Sequence, residues 1–256
     1  MPSSLACHVY DDDRPEGAAR LVLVHGVMDR ATSFGRVVGS LHDVIVIAYD
    51  RRGYAHSIEI APTGGLDEQV EDLLEIVGDE PASVVGHSLG GVIALMAAQR
   101  RPELVVAVGV YEPPMPWLDW WPNTTAGSQA AAEATDPAAA AERFLRVLVG
   151  DAAWETLPMR TQQQRRKEGS ALVSDLGAVR VSEPPFDVSS IAVPVSVATG
   201  SATREHHIKG AAFLSEALGV PLRTVEGAGH NGHQSHPQEF AAFCRAVLAS
   251  ARDRRD

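Results

Sequence analysis

Six short apolar runs rich in β-branched residues constrain this chain most: "LVLVHG" at 21–26, "VIVIAYD" at 44–50, "SVVGHS" at 83–88, "VVAVGVYE" at 105–112, "VPVSVATG" at 193–200 and "LRTVEGAG" at 222–229. Each is of strand length and apolar on both faces, as a strand must be when helices cover its sheet on both sides. Helical patterns lie between most of them. "LDEQVEDLLEIVG" (66–78) repeats apolar residues at three and four, "LGGVIALMAAQRRP" (89–102) follows a strand directly, and "PQEFAAFCRAVLASA" (237–251) closes the sequence. The alternation predicts an α/β fold with a mostly parallel, doubly wound sheet. A chain of 256 residues with 45% hydrophobic content can fill one such core, with or without an insertion.

The rhythm breaks between 114 and 190. This stretch holds "PWLDWWP" with Trp117, Trp120 and Trp121, an Ala-rich helical segment around 128–149, Trp154, and "SEPPFDVSSIAVP" leading back to a strand. It reads as an inserted helical cap, so the expected organisation is a core domain from 1–113 and 191–256 with a cap at 114–190. The acidic opening "YDDDRPEG" reads as a turn between early strands and "SARDRRD" as a fraying tail.

A formal net charge of −11 argues against a nucleic-acid partner, which needs a basic stripe. The basic cluster "RTQQQRRKEG" at 160–169 reads as a solvated helix face. Cys7 and Cys244 lie far apart and show no metal-ligand spacing, so both are expected to be reduced and packed, and no metal or cofactor is expected. No basic start followed by an apolar run opens the sequence, and no stretch of 18 uninterrupted apolar residues occurs. The expectation is a soluble cytoplasmic protein, monomer or homodimer, without a membrane partner.

"SVVGHSLGGVIAL" places Gly86-His87-Ser88-Leu89-Gly90 between an apolar strand and a helix. A G-x-S-x-G at such a junction makes a sharp turn that needs small flanking residues and lifts the serine hydroxyl above the sheet at a helix N-terminus. These residues resemble the α/β-hydrolase superfamily, and the resemblance spans essentially the whole chain. It implies Ser88 as nucleophile and an oxyanion hole built from two backbone N–H groups. One belongs to Leu89; the other belongs to Val27, which follows the His25-Gly26 turn in "VHGVMD". His25 and His87 then read as scaffold residues. The family's catalytic histidine follows a Gly-x-Gly turn beyond the last strand, which in "VEGAGHNGHQSHPQEF" selects His230 over His233 and His236. A base is needed because a serine does not ionise unaided near neutral pH.

The acid is less direct. In most family members it is an aspartate three residues past the glycine ending the penultimate strand; counting from Gly200 gives Thr203. Glu205 is the nearest carboxylate, but it stands where a helix begins and reads as a first-turn residue favoured by the dipole. The preferred reading is Glu112 in "VVAVGVYEPPMPW", at the end of the strand after the nucleophile's helix and so at the same carboxyl edge as Ser88. Haloalkane dehalogenases and zearalenone-type lactonases place their acid at this strand, and "YEPPMPWLDWWP" resembles theirs. An unrecognised carboxylate or a dyad remains an alternative.

A serine nucleophile implies acyl transfer on a small carboxylic ester or lactone, and the likeness to zearalenone-type enzymes suggests a macrocyclic lactone. Met115, Trp117, Trp120 and Trp121 are the expected substrate-binding residues. A lyase or carbon–carbon hydrolase on the same triad and a ligand receptor built on a slow hydrolase are the rival readings.

Overall fold

The computed structural model describes residues 5–10, 17–133 and 135–252. Seven strands, β1 (Cys7–Tyr10), β2 (Ala19–Val24), β3 (Val44–Tyr49), β4 (Ala82–His87), β5 (Val105–Tyr111), β6 (Val195–Gly200) and β7 (Leu222–Val225), form one sheet in the order β1-β3-β2-β4-β5-β6-β7. Every neighbouring pair is parallel except β1 with β3. The six apolar runs thus each supply a strand. β1 was not among them: it is an edge strand of four residues, half exposed, too short and too wet to carry a hydrophobic pattern. The acidic turn before β2 lies largely outside the described residues, as does the end of the tail.

Both faces of the sheet are covered. On one, the helices Asp67–Val77, Leu89–Arg100 and Glu205–Leu218 contribute Leu73, Ile93 and Leu214 to a core with Val22, Val84 and Val110. On the other, the helix Pro237–Arg252 sets Phe240, Phe243 and Val247 against Leu23, Val85 and Tyr111. Alternate residues of each central strand therefore enter opposite cores, which is why these strands read as unbroken apolar runs.

Between β5 and β6 the chain leaves the sheet, and its described residues form five α-helices: Ala126–Ala131, Pro137–Val149, Asp151–Thr156, Met159–Lys167 and Gly169–Ala178. The Ala-rich helical segment expected around 128–149 forms two helices. The first ends at Ala131, and Asp136 caps the second, its carboxylate accepting from the N–H groups of Ala138 and Ala139 at 3.1 Å each, while Pro137 takes the first helical position, where its missing N–H costs nothing. These helices bury Trp154, Phe144 and Leu172 among themselves and against Met28 and Tyr54. The helix Met159–Lys167 buries no residue, in keeping with its basic composition. Cys244 is packed as expected, but Cys7 is exposed on the edge strand. No helix among the described residues is long and apolar enough to cross a membrane.

Candidate active site

The carboxyl edge of β4, β5 and β6 is where the chemistry gathers. Ser88 follows β4 with φ 52° and ψ −124°, a left-handed conformation that costs a serine on the order of 1–3 kcal/mol and persists only where the surroundings impose it. They do so through backbone contacts. The Ser88 N–H donates to the Tyr111 carbonyl (2.9 Å), and its own carbonyl accepts from Gly91 (2.8 Å). A Cβ on Gly86 would lie 2.2 Å from the Gly90 carbonyl oxygen, and one on Gly90 2.2 Å from that of Val24, so both flanking positions require glycine. Met28 and Glu112 share the left-handed backbone, so three of the four such non-glycine residues stand at this one edge.

Glu112 is fully buried one residue beyond β5. Its Oε1 accepts from the Gly200 N–H (2.8 Å) and the Thr199 hydroxyl (3.0 Å); its Oε2 accepts from the Thr203 hydroxyl (2.9 Å) and from His230 Nδ1 (2.7 Å). Four donors surround one carboxylate, which is what a buried anion requires. Thr203, at the position where the family resemblance looks for an aspartate, instead donates its hydroxyl to Glu112. Glu205 stands exposed in the first turn of its helix and forms no hydrogen bond or ion pair with His230.

Because a carboxylate only accepts, His230 Nδ1 carries the proton and Nε2 is left with its lone pair. The loop bearing His230 is pinned from beneath. His87 Nε2 donates to the His230 carbonyl (2.9 Å), and the Tyr111 hydroxyl donates to the Gly229 carbonyl (2.9 Å). Burial, helped by His233 and His230, holds His87 well below the ordinary histidine value, so it serves as a neutral donor. His207 stacks on His230 with ring centroids 4.1 Å apart and 15° between planes. Burial foremost, then the neighbouring His230 and His206, holds His207 well below its usual value. The sequence reads His87 as a scaffold residue without naming its partner and does not single out His207, since neither stacking nor a loop pin leaves a spacing signature.

The turn after β2 is locked by Arg51. His25 Nδ1 donates to the Gly26 carbonyl (2.7 Å), and His25 Nε2 accepts from the Arg51 backbone N–H (2.9 Å). The Arg51 side chain donates to the carbonyls of His25 (3.0 Å) and Gly26 (3.1 Å) and pairs with Asp175 of the inserted helices (2.8 Å). Burial first, then the Arg51 charge, pushes His25 down to about 4, which suits the neutral scaffold role read from the sequence. A Cβ on Gly26 would stand 2.8 Å from Ser88 Cβ, so this turn lies against the serine.

Ser88 and His230 line one cavity of about 670 Å³ between the sheet edge and the inserted helices, together with Val27, Leu89 and Trp121. The other three expected substrate contacts are corrected. Met115 is buried in the sheet core, and Trp117 packs edge-on against Phe186. Trp120 lies between Phe213 and the Lys209 ammonium, 4.6 Å over its ring. All three are absent from the cavity wall. The run of tryptophans anchors the start of the insertion, and only its last member reaches the site. Two sets of ligand-type side chains border the site, each with its donor atoms within 4.8 Å: Glu112, His207 and His230, and, behind them, Asp29, His87 and His233. In the first, four donors already occupy the carboxylate.

A parallel sheet with a strained serine at a strand–helix turn defines a hydrolase of the α/β class. The sequence profile of the alpha/beta hydrolase family matches residues 21–243, and the chain belongs to that family. It is 34% identical over 102 residues to lipase LipV of Mycobacterium tuberculosis, a match covering 39% of each protein, so it spans about two-fifths of that relative's length. Over 249 residues it is 27% identical to a 2-succinyl-6-hydroxy-2,4-cyclohexadiene-1-carboxylate synthase of Serratia proteamaculans, covering 90% of this chain and 93% of that one. The solved enol-lactonase from Burkholderia xenovorans LB400 superposes with a TM-score of 0.71 over 96% of both chains at 19% identity, a likeness of fold.

Proposed function

We propose that this chain is a serine hydrolase cleaving a small carboxylic ester or lactone, with the inserted helices as its cap. The observation that carries the reading is the His230–Glu112 bond of 2.7 Å, made by a histidine that shares its cavity with a strained serine. Ser88 Oγ attacks the carbonyl carbon while His230 Nε2 takes its proton. Negative charge then grows on the carbonyl oxygen, opposite the backbone N–H groups of Val27 and Leu89 and the N-terminus of the helix Leu89–Arg100, each arranged before the reaction begins. Collapse of the tetrahedral intermediate breaks the acyl–oxygen bond, and His230 returns its proton to the leaving alcohol. Water, deprotonated by the same histidine, releases the acid and restores Ser88. Glu112, held by Gly200, Thr199 and Thr203, orients the imidazole and stabilises its cationic form.

Support for an ester comes from the family and from the likeness to lipase LipV; the "YEPPMPWLDWWP" stretch supports a lactone, including a macrocyclic one. The likeness to the Serratia synthase along nine-tenths of the chain supports a second reading, a reaction other than ester hydrolysis on the same residues. Ser88→Ala against a chromogenic short-chain ester tests the proposal. Turnover should fall by roughly 10⁴–10⁶ while the melting temperature stays near wild type, and retained activity would remove the reading. Mass spectrometry of the products, which shows whether water has been added across an acyl bond, separates the two readings.

A further inference from the structure

Three arginines line the cavity that holds Ser88: Arg165, Arg180 and Arg204. The first is already engaged, pairing with Glu168 at 2.8 Å and donating to the Met28 carbonyl at 3.2 Å. The other two form no ion pair among the described residues. Arg204 makes a single side-chain hydrogen bond, at 3.4 Å, to the neutral carbonyl of Val147. The wall contains two carboxylates, and both are committed elsewhere: Asp175 to Arg51, Tyr54 and Gln69, and Asp29 to His233 at 3.1 Å. Both residues are exposed, and in a chain of net charge −11 two guanidinium groups without a carboxylate partner among the described residues, on the wall of one concave site, are free to meet an anionic group of an incoming ligand.

We propose that Arg180 and Arg204 form an anion subsite, so that the ester or lactone presented to Ser88 carries a carboxylate remote from its scissile carbonyl. The inference rests on the serine-hydrolase reading and adds the substrate's charge to it. The two groups approach from different parts of the fold. Arg204 directly follows Thr203, whose hydroxyl donates to Glu112, and Arg180 lies just past the inserted helix Gly169–Ala178. A carboxylate held by both would bridge the core and the insertion within the cavity that Ser88 lines. The Arg204 charge already reaches the site: after burial, it is the largest influence lowering His206, a cavity-wall histidine whose ring lies tilted against that of His207, 4.2 Å between centroids. A volume of about 670 Å³ holds an acyl chain with a terminal carboxylate as well as its alcohol portion. Planar, bidentate recognition of a carboxylate is what a guanidinium does best.

The test compares two chromogenic esters of equal acyl length, 4-nitrophenyl hexanoate and the mono-4-nitrophenyl ester of adipic acid. Wild type should favour the adipate ester by about tenfold or more in kcat/KM, a margin of one charge-assisted contact, and the preference should shrink in about 0.5 M NaCl. In Arg180→Gln and Arg204→Gln the ratio of the two substrates should fall toward one. A loss common to both substrates cancels in that ratio. Equal kcat/KM values for the two esters in wild type, or a preference that survives both substitutions, overturns the anion subsite while leaving the hydrolase reading intact. Should neither ester turn over, the hydrolase reading fails instead, and calorimetric titration of monomethyl adipate into the Ser88→Ala protein decides the subsite alone. Binding that the Arg180→Gln/Arg204→Gln pair abolishes supports it, and no binding overturns it.

Discussion

Two buried carboxylates stand near Ser88 facing histidines, and they are built in opposite ways. Glu112 meets four hydrogen-bond donors, from Gly200, Thr199, Thr203 and His230, at 2.7–3.0 Å. Asp29 has His233 Nε2 3.1 Å and His87 Nδ1 3.8 Å from its Oδ2, yet that oxygen accepts no aligned hydrogen bond among the described residues. Burial works to raise the Asp29 carboxyl, and His233, His25 and His87 outweigh it, holding it below its ordinary value. Fixed donors make Glu112 an anion of defined position, which a reacting histidine needs. The neighbouring histidines hold Asp29 as an anion but leave its orientation to packing. Aligned donors fix one carboxylate, and packing fixes the other.

The largest effect should follow from removing the first anion. Glu112→Gln preserves volume but offers an amide where His230 needs a pure acceptor, so the imidazole loses its fixed tautomer. Turnover of a chromogenic ester should fall by about 10⁴, the loss typical when a triad acid becomes an amide. A drop of less than about tenfold would show that the four-donor cage is only structural.

Asp29→Asn should act on stability rather than on rate. It replaces the buried carboxylate that stands 3.1 Å from His233 Nε2 by an amide, which costs about 1–3 kcal/mol in urea unfolding, while kcat stays within about tenfold of wild type. Acid separates the contributions. The folded carboxyl of Asp29 lies below its ordinary 3.8, so its contribution is complete at neutral pH and is lost only as the pH falls below that value. His25, His87 and His207 are held neutral below the ordinary 6.5, so their contribution erodes earlier, from 6.5 down toward about 4 for His25. Wild type and variant should therefore weaken in parallel between pH 7 and 4 and converge below that. Convergence already at pH 6 would assign the Asp29 effect to the histidines.

Thr203→Val removes one donor of the four and leaves Glu112 Oε2 with His230 alone. A lost hydrogen bond to a charged group is worth about 1.5–3 kcal/mol, of which the part felt by the imidazole should lower kcat/KM by about tenfold. Thr203→Ser should restore it, because only the hydroxyl is needed. A Val variant as active as wild type would mean that Gly200 and Thr199 suffice to hold the carboxylate.

Much of this site is legible in the sequence because backbone geometry writes it there. The glycines at 86 and 90 are required by contacts that would put a Cβ 2.2 Å from a carbonyl oxygen, and Glu112 ends an apolar strand that has no other place to put a charge. Side-chain contacts across the fold leave no such mark. Nothing in the spacing ties His87 to the carbonyl of residue 230, His207 to the face of its ring, or Arg51 to Asp175, positions separated by 143, 23 and 124 residues that only the completed sheet and insertion bring together. The tryptophans misled for a related reason. Aromatic residues beside a site read as pocket walls, but Met115 lies in the sheet core, Trp117 is held by Phe186, and Trp120 by Phe213 and Lys209 of the helix after β6, partners that only the folded chain brings near.

The smallest effect belongs to the carboxylate that sequence spacing placed nearest the family position. Glu205 is exposed, its side chain at the start of the helix Glu205–Leu218, where a negative charge gains about 0.3–1 kcal/mol from the free N–H groups of the first turn. Glu205→Gln should lower the melting point by no more than that implies and leave kcat/KM within about twofold, since a solvated charge at this distance is screened. The value of the measurement lies in its contrast with Glu112→Gln. Both substitutions remove one negative charge from the same side of the sheet, so a rate difference near 10⁴ between them isolates hydrogen-bonded position, not local charge, as what the histidine responds to. A comparable fall in both variants would mean that the field of the whole loop supports the imidazole and that the cage around Glu112 has no special standing.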